Sequence, residues 1–405
     1  MEVPVSAASA GQTTKGALRH VLGHLLTPLL MCVGMGLAYL GAFHAPQPHD
    51  LRVDIVGSGP QAQVLAQTLQ DKGAGALDVR TVPDRTTATA HLRDRASFGA
   101  YVPGGQAGTG QADGAQADGT QGGGVKAGGV KAGGVQASGV QAGGAAARPE
   151  LLVASASSDT SAMAVEKVFT KVAATQGEPL KVTDVAPVAS GDPTGQGVFF
   201  LLVALSIGSY ASVAVIGGAG AVLPMRIRAL LAAGMSLVVS LIGTVFAGPL
   251  FHLVDHGLGG VWALSWLYCA GILLIGVGLH TFLKRWTTLG VMVLFVMLNF
   301  TSSGGIYRPE LQPGFFGSLH AFWNGAGFVE GVRGHVYLAG DDLGRNVLVL
   351  GLWFLAGVLV TALAGRAEAR RTRAAEHTTE KTPQKRADQD VQEEIEEEIE
   401  ETVGV

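Results

Sequence analysis

His252, Asp255 and His256 come nearest, by type and spacing, to metal chemistry: two imidazoles four residues apart with a carboxylate between them, on a short loop between apolar runs. A zincin-type H-E-x-x-H helix needs a glutamate as general base, and that position is not filled; no fourth ligand adjoins the group. The three residues read either as a weak metal site or as histidines at a bilayer interface. Gly57-Ser58-Gly59 follows a strand-like stretch, but a dinucleotide fingerprint also needs a third glycine and a downstream acid. It reads as a turn followed by a helix cap. The chain has no G-x-x-x-x-G-K-[ST], so it cannot cradle ATP phosphates itself. No catalytic, cofactor-binding or metal-binding residue is expected in this chain, and the reading is not that of an enzyme.

The more telling polar residues lie at the end of an apolar run. Trp286 to Phe300 is 15 residues long, about 22 Å of helix against roughly 30 Å of hydrocarbon. Asn299, Ser302, Ser303, Gly304 and Gly305 are therefore expected at membrane depth, where irregular backbone survives only when buried in protein or lining a cavity. The following stretch, Leu311 to Phe328, is rich in aromatics and broken by glycines and Pro313. It suits short interfacial or re-entrant helices, serving as an aromatic belt or as the lining of a pathway. Glu330 and Arg333 stand one turn apart, at the spacing of a local ion pair.

These residues need elements to hold them, and the apolar runs supply them. The runs at 21–43, 197–223, 229–251, 261–283, 286–300 and 346–365 point to six transmembrane helices. The fold class expected is an α-helical polytopic membrane protein with a small α/β extracytoplasmic domain inserted between helices 1 and 2. The first run is too long for a removable signal peptide and reads as a retained anchor. With residues 1–20 in the cytoplasm, ten Lys and Arg fall on inner segments (Lys15, Arg19, Arg226, Arg228, Lys284, Arg285, Arg366, Arg370, Arg371, Arg373). Only Arg308, Arg333 and Arg345 fall on the short outer ones. That asymmetry puts both termini in the cytoplasm of a multi-pass plasma-membrane protein. Cys32 and Cys269 both fall within apolar runs, so neither a disulfide framework nor a cysteine metal site is indicated.

Residues 44–195 form the outer domain. Leu51 to Val56, Leu77 to Val82, Phe98 to Val102, Glu150 to Ala154 and Leu180 to Val185 read as strands. Between them, helices are expected after Ser58, Asp84 and Asp159, each offering a cap. Residues 104–147 are a Gly-rich insert in which GGVKA, GGVKA, GGVQA and SGVQA recur. Isolated valines cannot offset the ordering entropy of so many glycines, so this insert is expected to be disordered. Residues 301–345 form an outer re-entrant segment. Residues 366–405 read as a disordered cytoplasmic tail that ends either as a solvated acidic run or as a short docking helix around Val391, Ile395, Ile399 and Val403. The net charge of -4 comes from that acidic end, and nucleic-acid binding has no support.

Three segments resemble a known family: DVAPVASGDPTGQGVFF at Asp184 to Phe200, NFTSSGGIYRPELQPGFF at Asn299 to Phe316, and GFVEGVRGHVYLAG at Gly327 to Gly340. They resemble actinobacterial type-2 ATP-binding-cassette (ABC) transporter permeases of the phage-infection-protein-like branch. The resemblance implies the permease subunit of an exporter, forming a homodimer in the lipid bilayer. A separate ABC ATPase subunit would carry the ATP and press on the inner loop at Arg226 and Arg228. It also implies that Asn299, Ser302, Ser303, Gly304, Gly305 and Arg333 close the outer mouth, and that the cargo is hydrophobic or amphiphilic. The alternative is a non-transporting membrane-anchored receptor or scaffold for envelope assembly, acting through the outer domain.

Overall fold

The computed structural model describes residues 30–31, 33–43, 46–104, 148–338, 340 and 342–403, with side chains to residue 374. The first 29 residues and nearly all of the Gly-rich insert lie outside the described residues. The expectations for Lys15, Arg19, Cys32 and the repeated pentapeptide therefore fall outside them too.

The α/β domain alternates as its sequence pattern dictates. β1 (Leu51–Val56), α2 (Pro60–Gly73), β2 (Leu77–Val82), α3 (Arg85–Arg93) and β3 (Gly99–Val102) are followed by β4 (Glu150–Val153), α4 (Asp159–Thr175) and β5 (Lys181–Asp184). The sheet order is β2-β1-β3-β4-β5, with β3 and β4 antiparallel and the other neighbours parallel. Side chains alternate across β1. Leu51, Val53 and Ile55 pack against Ala62, Ala66 and Leu69 of α2 and Val165 and Phe169 of α4. Val56 faces the other way, toward Ala88 and Leu92 of α3.

Local signals set the helix starts. Asp84 caps α3, accepting from the Thr87 N–H at 2.8 Å. At α4 the cap is Ser158 rather than Asp159, accepting from Ser161 N–H at 3.2 Å. Asp159 opens the helix instead, where its charge favours the dipole. At α2 Gly59 precedes Pro60 and no side chain caps the turn, so Ser58 does not serve as expected.

The described residues do not show six transmembrane helices. Four helical runs among the described residues are long and apolar enough to cross a membrane: Gly197–Val222, Met225–Leu250, Leu258–Ser302 and Leu343–Ala374. The α/β domain precedes all four and does not interrupt them. Two expectations fail for different reasons. The first apolar run is described only in part; its described helix, α1, is Val33–Phe43, about 16 Å at 1.5 Å per residue and less than a crossing needs. The run at 286–300 does not form a long helix of its own; it is the returning arm of the third run.

That third run folds back on itself. α7 (Leu258–Leu283) ends at Lys284, whose φ of 50° breaks the helix. After a 3-10 turn (Lys284–Trp286) the chain returns through α8 (Thr287–Met292), a π turn (Val293–Met297) and α9 (Leu298–Ser302). The Asn299 side chain thereby reaches the Tyr268 hydroxyl.

Around this hairpin stand α5 (Gly197–Gly218), α6 (Met225–Val245) and α12 (Leu343–Val403). The apolar stretch of the third run is 72 % buried, against 28 % for the α6 run and 22 % for α12, so the hairpin is the bundle's centre. Small residues let α12 approach it closely: a Cβ on Gly278 would lie 2.9 Å from the Thr361 backbone nitrogen. The Thr361 hydroxyl donates to the Leu274 carbonyl at 2.8 Å. Beyond Gly365 the helix continues to Val403 where a disordered tail is expected. No glycine occurs from 366 to 403, and Ala, Glu, Gln, Lys and Arg dominate, which favours helix on both sides of Pro383.

Between α9 and α12 lie a 3-10 turn (Pro309–Leu311), α10 (Gly314–His320) and α11 (Asn324–Tyr337). They do not lie flat on a rim. α11 is buried from Asn324 through Gly334, and Leu338 just after it joins the α3 face of the sheet. The α/β domain is thus seated on the end of the bundle where α5 begins, α9 ends and α12 begins.

Candidate functional site

At this domain-side end, α9 stops in polar sequence and its open carbonyls must find donors. Thr301 O accepts from Gln312 Nε2 at 2.7 Å, and Ser302 O faces His320 Nδ1 at 2.9 Å. Gly304 O and Gly305 O accept from the two terminal nitrogens of Arg333 at 2.9 and 3.0 Å. Arg333 also reaches Gly195 O, ahead of α5, at 3.4 Å. One guanidinium thus ties the end of α9 to α11 and to the start of α5, as its fixed fork of donors allows.

Both glycines are required. Gly304 sits at φ 72°, where a Cβ is strained and would meet His320 Cε1 at 2.6 Å. A Cβ on Gly305 would lie 2.4 Å from Phe199 Cδ2. Ser303 holds the turn, its hydroxyl accepting from Gly305 N–H at 3.1 Å.

Asn299 belongs to a second buried chain one turn earlier. Its amide donates to Tyr268, whose hydroxyl also bonds Ser206 of α5, and its Oδ1 accepts from Gly325 N–H at 2.6 Å. Asn299, Ser302 and Ser303 are all buried. So the six residues expected at the outer mouth meet around one turn, but they are bonded to protein and line no open channel among the described residues.

Behind Arg333 lies a group that sequence spacing does not reveal. Glu330 of α11 pairs with Arg308 Nη1 at 2.6 Å and with Arg95, which enters from the α/β domain just after α3. Arg333, the one-turn neighbour expected as its partner, is more distant at 3.8 Å. Burial pushes the Glu330 carboxyl up, but Arg308 and Arg95 outweigh it and hold it well below the usual carboxylate range. Burial lowers Arg333 to about 10, so it stays charged at neutral pH. His320 is pushed down chiefly by burial and stands neutral there. Removing one partner of such a buried group leaves an uncompensated charge, which costs about 3–5 kcal/mol.

The two remaining site residues lie at the other end. Glu368 stands 22 residues along α12 from Asn346, about 33 Å of helix. There Pro224 caps α6, so Arg226 and Arg228 are in its first turn and not on a free loop. Arg228 is buried, pairs with Glu368 and donates from Nε to Leu223 O at 3.1 Å. Glu368 also accepts from the Thr281 hydroxyl at 2.8 Å. Arg226 is exposed, at the edge of a cavity of about 1000 Å³ between α6 and α12. Leu274, Val358 and Ala362 line it, with Arg226 and Arg366 among the charged groups at its end.

His252, Asp255 and His256 are exposed on the loop before α7, and no three such side chains converge on a metal position among the described residues. Of the functional residues, Arg95, Arg308, His320, Gln312 and Tyr268 gave no sequence signal. Glu330 did, through its spacing to Arg333. No family model, no curated protein and no solved structure matches this chain.

Proposed function

We propose that this membrane-embedded protein, a multi-span region carrying a separate globular α/β domain, is the permease subunit of an ABC-type exporter. It takes a hydrophobic or amphiphilic compound from the cytoplasmic half of the plasma membrane, and a separate ATPase subunit supplies the ATP. The chain itself performs no chemistry. The observation that carries the reading is the contrast in openness along the bundle. An apolar cavity of about 1000 Å³ opens between α6 and α12 at the far end, while the domain-side end is packed shut around Arg333. A cargo entering the cavity would meet Leu274 and Val358 along its apolar part and the arginines at its polar end, which suits an amphiphile.

Arg226, exposed beside the cavity, is the residue left to contact an ATPase; Arg228 is occupied by Glu368. The lipid-facing leucines of α6 and α12, Leu230, Leu241, Leu352 and Leu359 among them, would meet the bilayer or a second copy of the chain. The C-terminal end of α12 would then lie in the cytoplasm, in keeping with the basic residues at the far end.

The scaffold alternative has one observation in its favour: the α/β domain is fixed to the bundle through Arg95 and Glu330, as suits a rigid platform. Filling the cavity separates the two. In cells deleted for the protein, Ala229→Trp or Ala362→Trp in the full chain should abolish efflux of an amphiphilic dye if it is a permease. Full restoration of the deletion phenotype by both variants, with no dye efflux in wild type, would establish the scaffold instead.

A further inference from the structure

Between the α/β domain and the bundle runs a second cleft, of about 260 Å³. It is mostly polar. Arg52 and Arg345 stand at its rim, and Arg308, Glu330, Asn346 and His320 line its deeper part. Arg308, Glu330 and Asn346 are each more than nine-tenths buried. Yet Arg308 Nε and Asn346 Nδ2 have no hydrogen-bond partner among the described residues. Two buried donors left open are costly unless something bonds them. They flank a carboxylate already contacted by three guanidiniums, Arg95, Arg308 and Arg333.

We infer that this cleft is a binding site for an oxyanion, a carboxylate or phosphate group, held by Arg308 and Asn346 with Arg345 and Arg52 at the entrance. Open donors outnumber open acceptors in the deeper part, Arg308 Nε and Asn346 Nδ2 against Glu330 Oε1, and a guanidinium offers paired hydrogens suited to such groups. Asp94 and Asp342 also border the cleft, but both are exposed, where water and salt screen them. The volume falls below the about 300–1,000 Å³ of drug-sized pockets, so the occupant is a headgroup or a small anion. Because Arg95 and Arg52 come from the domain and Arg308, Arg345 and Asn346 from the bundle, a bound anion bridges the two parts. The inference does not depend on the transport reading.

The test uses the full chain in maltoside micelles, which contain no phosphate, with inorganic phosphate and acetate as probes and equilibrium dialysis as readout. Saturable binding is expected, weakened about tenfold by Asn346→Ala and by Arg345→Gln. Arg345 is exposed, so its variant keeps the test valid if Asn346→Ala misfolds. In a second arm the micelles are doped with phosphatidylglycerol. Competition with phosphate identifies a lipid headgroup as the source, and unchanged phosphate binding identifies a free anion. Absence of saturable binding by both probes in undoped micelles overturns the inference. So does binding that neither variant weakens.

Discussion

The two ends of the bundle carry their buried arginines in opposite ways. On the domain side Glu330 is closed in by Arg95, Arg308 and Arg333, and every partner is itself buried. At the far end Arg228 meets Glu368, whose side chain is 29 % exposed, beside an open apolar cavity. A carboxylate that can fall back on water tolerates the loss of its partner; one sealed among guanidiniums does not. The domain side is thus built as a fixed junction and the far end as a surface that can rearrange.

Removing the junction's anion should have the largest effect. Glu330→Gln leaves three guanidiniums facing one another and should destabilise the full chain by about 3–5 kcal/mol, read as a lowered midpoint of thermal unfolding in detergent. A midpoint within a degree of wild type would mean that the junction is not sealed. Next comes Gly305→Ala, which drives a Cβ to 2.4 Å from Phe199 and should cost about 1–3 kcal/mol through overpacking. Relief by a second change, Phe199→Leu, would attribute the loss to that contact.

At the far end Arg228→Gln should cost only about 1 kcal/mol, since Glu368 regains water. A loss as large as that of Glu330→Gln would erase the distinction between the ends.

A pH-dependent effect belongs to the α/β domain. Burial raises the Glu150 carboxyl, but hydrogen bonds from Arg85, Thr183 and Lys181 outweigh it and bring it from 4.5 down to about 2. A depressed folded-state value means that the contribution is complete above about pH 4.5 and is lost as pH falls toward 2. The difference in unfolding midpoint between wild type and Glu150→Gln should therefore shrink across that window. A difference that stays constant with pH would contradict the assignment.

Much of this architecture is legible in the sequence, and the exceptions have physical causes. The strands at Leu51–Val56 and Leu77–Val82 stand out because apolar and polar residues alternate along most of their length. Asp84 announces its helix because capping is local. The apolar length of 286–300 suggested a span of its own, but hydropathy does not register the reversal at Lys284 that makes it an arm of the third run. The polar turn at Asn299 to Gly305 was visible as a break in that pattern, and the close approach of Phe199 and His320 explains its glycines. Its partners were not visible. Arg95 and Glu330 lie 235 positions apart, beyond the reach of any local spacing rule. The single-turn rule pointed to Arg333 instead, whose fork is engaged by the Gly304 and Gly305 carbonyls.

Cysteine labelling in native membranes tests the central contrast most directly. Starting from a chain with Cys32 and Cys269 replaced by serine, Ser303→Cys probes the domain-side turn and Ala369→Cys the edge of the far cavity. Ala369→Cys should react with a maleimide, while Ser303→Cys should stay unmodified until the protein is denatured. Ready modification of Ser303→Cys, or protection of Ala369→Cys, would contradict a bundle closed at the domain and open at its far end.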